Sequence, residues 1–132
     1  MRPHYEALLT LSAGAIQPTW TAGLTLYAGR PEFVRAHARL VLGAGSPVTQ
    51  VVLKWQGTKD PTDPAGWEDV VSRRDDNGVA ELEHTYGAPS GTPNAFSFLL
   101  DARGYLALRL LARSAAGVGQ VGDSVIVDGL TW

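Results

Sequence analysis

Tyr105-Leu-Ala-Leu-Arg-Leu-Leu-Ala-Arg113 is the stretch whose reading decides the fold. Leu106, Leu108, Leu110 and Ala112 fall on one face and Tyr105, Ala107, Arg109, Leu111 and Arg113 on the other. That is the two-residue period of a strand with one face in a core. The same alternation runs from Phe33 to Leu42, with Val34, Ala36, Ala38, Leu40 and Leu42 opposite Phe33, Arg35, His37, Arg39 and Val41. A helix is the second reading of that stretch, because Ala, Arg and Leu are good helix formers. Val48 to Gln56 sets Val51, Leu53 and Trp55 against Val52, Lys54 and Gln56. Leu106, Leu108, Leu110, Leu53 and Trp55 are the expected core.

Working outward, Tyr5–Ser12 and Thr19–Tyr27 read as two earlier strands, Gly23 marking a bulge or break in the second. Residues 57–66 contain two prolines and two glycines and read as a long exposed loop. Trp67 to Arg73 and Val79 to Tyr86 form one expected hairpin around Asn77-Gly78, a pair suited to positive φ. Residues 95–100 and 105–113 form a second across Asp101-Ala-Arg-Gly104. Ser124 to Trp132 reads as a last strand tied into a sheet. The expectation is an all-β chain, an antiparallel two-sheet β-sandwich of jelly-roll-like form with seven to nine strands, rather than a barrel.

With 132 residues the chain is the size of one domain, 1–132, with 1–5 as a candidate N-terminal arm. It has no Cys, so disulfides are excluded. Eleven basic and thirteen acidic residues give a net charge of −2, which offers no electrostatic footprint for nucleic acid or an anionic membrane. The N-terminus lacks a signal-peptide pattern and no apolar run spans a bilayer, so the expectation is a soluble protein made in a cytoplasm. The fifteen Gly and eight Pro cluster between apolar segments, as they do where tight turns join short strands.

No reactive constellation stands out. His4, His37 and His84 form no metal-binding pair, and Ser72, Ser90, Ser97 and Ser114 sit in no nucleophile turn. Asp60, Asp63, Glu68 and Asp69 lack the ligand pattern of a calcium loop and read as turn formers. Neither an enzyme nor a cofactor or metal site is expected. Trp20, Trp55, Trp67 and Trp132 could make a platform for sugar rings, but read first as core, with Trp55 inside and Trp67 pinning a strand start. Arg35, Arg39, Arg109 and Arg113 would line a ribbon of guanidinium groups if their strands were neighbours, paired with carboxylates such as Glu81 and Glu83.

Val51-Val-Leu-Lys-Trp-Gln-Gly-Thr-Lys-Asp60, continuing through Gly66-Trp-Glu-Asp-Val70, resembles a pattern of small tailed-phage structural proteins: an apolar strand, a polar turn, a Trp-led strand. Tyr105–Arg109 and Val125–Trp132 extend the likeness over residues 48–132. The arrangement also resembles discoidin-like carbohydrate-binding sandwiches. The turn here is lengthened by Asp60-Pro-Thr-Asp-Pro64, where the phage pattern is compact. The resemblance implies a virion component, a head decoration or cement protein, with a tail or collar subunit as its nearest variant. It implies other virion proteins as partners and self-association, for instance as a trimer, with no catalytic residue. The rival is a module that binds a cell-surface glycan. The expected subunit interface comprises Arg2, His4 and Tyr5 of the N-terminal segment, Lys59, Asp60, Pro61, Asp63 and Pro64 of one loop, and Pro89 and Pro93 of the 87–94 loop.

Overall fold

A computed structural model describes residues 4–27, 32–87 and 94–132. The described residues form eleven strands: β1 (His4–Ser12), β2 (Thr21–Tyr27), β3 (Phe33–Val41), β4 (Gln50–Thr58), β5 (Glu68–Val70), β6 (Ser72–Arg74), β7 (Ala80–Glu81), β8 (Glu83–Gly87), β9 (Asn94–Asp101), β10 (Ala107–Ser114) and β11 (Ser124–Thr131). One sheet runs β1-β11-β3-β9-β6-β7; the other runs β2-β10-β4-β5, with β8 also pairing β4. All pairings are antiparallel.

Eight of these strands make the frame. Without β5, β6 and β7 the sheets read first-eighth-third-sixth and second-seventh-fourth-fifth, a jelly roll. The three short strands raise the count above the expected seven to nine. They arise because the segments read as single strands, 67–73 and 79–86, each change sheet part-way: β5 and β8 pair with β4, whereas β6 and β7 belong to the other sheet.

The alternation predicts the core where the chain is extended. Val34, Ala36, Ala38 and Leu40 of β3 are buried, as are Val51, Leu53 and Trp55 of β4, and the helical alternative for 33–42 falls. They meet Phe96, Phe98 and Leu100 of β9 and Leu108, Leu110 and Ala112 of β10. The irregularity expected at Gly23 appears as a shift in the β2–β10 register between Ala22 and Thr25.

Four expectations are corrected. Leu106 is 56% exposed rather than core: it lies at the bend before β10, and Tyr105 fills the inner face there by packing on Gly57, where an added Cβ would come within 2.5 Å of the ring. Segments 95–100 and 105–113 are no hairpin, since β9 and β10 lie in opposite sheets and Asp101–Gly104 is a corner between layers. For the same reason Arg35 and Arg39 on β3 never join Arg109 and Arg113 on β10. Finally, Gly57 and Thr58 complete β4, so the loop starts at Lys59, while His4 and Tyr5 pair with Thr131 and Leu130 inside β1.

Candidate functional site

The interface residues expected from sequence separate into two groups. β4 carries the 59–67 loop at one end, and at its other end Gln50 pairs with Gly87, from which the 87–94 loop departs. Nine extended residues put about 30 Å between those ends. His4 and Tyr5 lie at the first end, since β1 pairs there with Thr131 and Leu130. Arg2, Pro89 and Pro93 lie outside the described residues, and only the backbone of His4 is described.

The 59–67 loop is internally braced. Thr58 Oγ1 donates to the Asp60 carbonyl and accepts from the Asp60 N–H. Asp60 Oδ1 accepts from both the N–H and the hydroxyl of Thr62, at 3.0 and 2.6 Å, which holds its carboxyl below the usual range. Asp63 accepts from the Ala65 N–H. Lys59, Asp60, Asp63 and Pro64 stay exposed and Pro61 is half-buried. Tyr27 and Leu106 are exposed beside this loop, and Tyr5 and Leu130 stand opposite each other on the other sheet, so four large apolar side chains rim this end.

A second arrangement, missed from sequence, covers the outer face of the five-stranded sheet. Register places Lys54 and Gln56 of β4 beside Leu111 and Arg109 of β10, with Asp69 of β5 next to Gln56 and Glu83 of β8 next to Lys54. Arg109 donates twice to Gln56 Oε1, at 3.0 and 2.8 Å. The Gln56 amide donates to Asp69, and Lys54 Nζ lies 3.1 Å from the same carboxylate. The Gln56 bond first, then Lys54, lowers the Asp69 pKa against the opposing effect of burial. Arg113 lies 3.7 Å from Glu83, one of the carboxylate partners expected for it.

Two half-buried indoles lie over this network. Trp20 covers Lys54 and Arg113, whose charged ends lie 4.4 and 4.9 Å from its ring centre, and Trp67 covers Arg109 at 4.2 Å. Only Trp55 is fully buried; Trp20, Trp67 and Trp132 keep part of their surface in solvent, which corrects the reading of the tryptophans as core. The sequence signal was the polar alternation in β4 and β10. What it lacked was the knowledge that these strands are neighbours.

Ser72 and His84, unremarkable in sequence, meet inside the sandwich. Ser72 Oγ and His84 Nε2 are 2.6 Å apart, and Glu81 Oε2 lies 3.7 Å from Nδ1. The order resembles a hydrolytic triad, but Ser72 is 3% and His84 0% exposed, so no substrate reaches the hydroxyl. Among the described residues no three His, Asp or Glu are grouped to hold a metal.

No known family model matches the sequence, and no curated protein matches it. Among solved structures, the chain is similar to the SPBc2 prophage-derived protein YomS, with 12% identity, TM-score 0.55 and coverage of 99% of this chain and 95% of that one. At that identity the likeness shows the fold alone. Looser likenesses join it to a family 16 carbohydrate-binding module, at 13% identity and TM-score 0.40 over 92% of this chain and 72% of the other, and to Bacillus endospore appendages, at 10% identity and TM-score 0.36 over 98% and 84%.

Proposed function

We propose that this chain is a non-enzymatic structural component of a tailed-phage virion, a capsid decoration or cement protein acting through protein–protein contacts, with a tail or collar position as the variant. The observation that carries the reading is the rimmed end of the sandwich: a hydrogen-bonded, proline-containing loop beside exposed Tyr5, Tyr27, Leu106 and Leu130. A loop already ordered loses little entropy on docking, and apolar side chains around it supply the area that is removed from water. The sandwich layout shared with a prophage-derived protein of similar extent supports the same reading.

The partners would be capsid or tail subunits and copies of the chain itself, and the site of action the virion. The test adds purified protein to undecorated phage capsids and measures co-sedimentation for wild type and for a variant whose 59–66 loop is replaced by a Gly-Ser turn. Binding by wild type that the variant loses is the expected result. Equal binding by both removes that loop from the contact, and no binding to head or tail particles overturns the reading.

A further inference from the structure

We propose that the outer face of the five-stranded sheet binds a carboxylate-bearing oligosaccharide, its sugar rings stacked on Trp20 and Trp67. This is a separate property from the assembly contact: it uses the outward sheet face, and only Trp67, at the end of the 59–67 loop, borders both.

Three observations lead there. The cations packed on the indoles project from β4 and β10, so the sheet itself holds each ring in place. Both residues are half-buried, which leaves part of each indole open to a ligand. A flat, immobilised aromatic plane is what the C–H face of a pyranose ring packs against, and two chi angles make it cheap to order.

The spacing suits a chain rather than a single sugar. Arg109 under Trp67 and Arg113 under Trp20 are four residues apart on one strand, about 13 Å. A linear oligosaccharide lying along β10 would stack one ring at each indole and span the interval with at least one more. Level with Arg109, at the Trp67 end of that interval, lie the amide of Gln56 and the carboxylate of Asp69, planar groups suited to vicinal hydroxyls.

Charge selects the acidic class. On the outward register of these strands stand Lys54, Arg109 and Arg113 against Asp69 and Glu83, three cations to two anions, while Glu68 of β5 falls on the alternate register opposite Gly57. Lys54 is matched by Asp69 and Arg113 by Glu83. Arg109 faces a neutral amide and an indole, with no carboxylate in ion-pair range among the described residues. A ligand carboxylate reaching its guanidinium past the edge of the Trp67 ring would complete the pairing.

The test titrates the intact chain with hexagalacturonate and with cellohexaose, followed by tryptophan fluorescence and calorimetry. Saturable binding of hexagalacturonate is expected, weakening with salt and exceeding that of cellohexaose by about tenfold. Trp67→Ala should lose about tenfold or more, Trp67→Phe should restore part of that, and Arg109→Gln should erase the preference for the acidic probe. Melting curves accompany each variant; should Trp67→Ala unfold, Arg109→Gln and Trp67→Phe read the same site. Absence of binding to both probes, or binding unchanged in folded Trp67 and Trp20 variants, overturns the site. Equal binding of the two probes overturns the acidic assignment. Loss of capsid binding by the loop variant would leave these results untouched, so the two readings fail separately.

Discussion

Ser72 of the six-stranded sheet shares a 2.6 Å hydrogen bond with His84 of the five-stranded one, a buried polar contact between the two layers. Phe98 packs on the same imidazole, with ring centres 5.0 Å apart.

Burial of that imidazole makes stability depend on pH. Burial, the largest effect, lowers the His84 pKa below its ordinary 6.5; Glu81 opposes this, Arg74 adds to it and Asp76 opposes it. The folded state therefore binds the His84 proton more weakly than the unfolded chain does. Stability is fully present above about pH 6.5 and declines as pH falls through and below that value. Melting temperature against pH should fall between pH 6.5 and 5 in wild type, ahead of the carboxylates, and His84→Gln should flatten that segment. A wild-type curve flat over that interval counts against it.

Leu108 and Leu106 belong to one alternating run yet have opposite fates, 0% and 56% exposed. Leu108→Ala should cost about 2–5 kcal/mol in chemical denaturation. Leu106→Ser should change stability by no more than about 0.5 kcal/mol.

Gly78 adopts φ +68° in the Asp75–Gly78 loop joining β6 and β7, where its N–H donates to the Arg74 carbonyl. An added Cβ there meets nothing within 4 Å, so the only cost is the left-handed backbone. Gly78→Val should lower stability by about 1–2 kcal/mol, and Gly78→Asn by less.

Asp123 is 1% exposed and accepts from the N–H of Gly43 at 2.7 Å, the N–H of Gln120 at 2.9 Å and the Ser46 hydroxyl at 2.5 Å. Burial alone would raise its pKa; the three donors outweigh it and lower it. Asp123→Ala leaves those donors without their acceptor and should cost about 1–3 kcal/mol, read from the shift in denaturation midpoint.

The sandwich was legible because strand alternation reports burial residue by residue, as in Val34–Leu40, although in β4 the residues from Val51 to Trp55 are buried on both registers. Strand neighbours were not, because pairing depends on contacts between residues far apart in sequence. Asp101–Gly104 has the chemistry of a hairpin turn and serves as a corner, since both inner faces compete for the strands that follow. The Trp20–Trp67 face was hidden for the same reason: Arg109 and Gln56 are 53 residues apart, and nothing local announces that they touch. The 59–67 loop was legible, since Asp and Thr near prolines organise their own turns.

Because β1 is an edge strand whose partner in its sheet is β11, with His4 opposite Thr131, the first strand of the frame waits for the last to be synthesised. Folding so ordered is slow, on the scale of milliseconds to seconds for sheets closed by distant pairings. Until β11 arrives, β1 and β3 stand as open edges, each able to capture the final strand of another copy. Crowded synthesis of this chain should therefore yield strand-exchanged dimers as its characteristic by-product, separable by size and slow to revert.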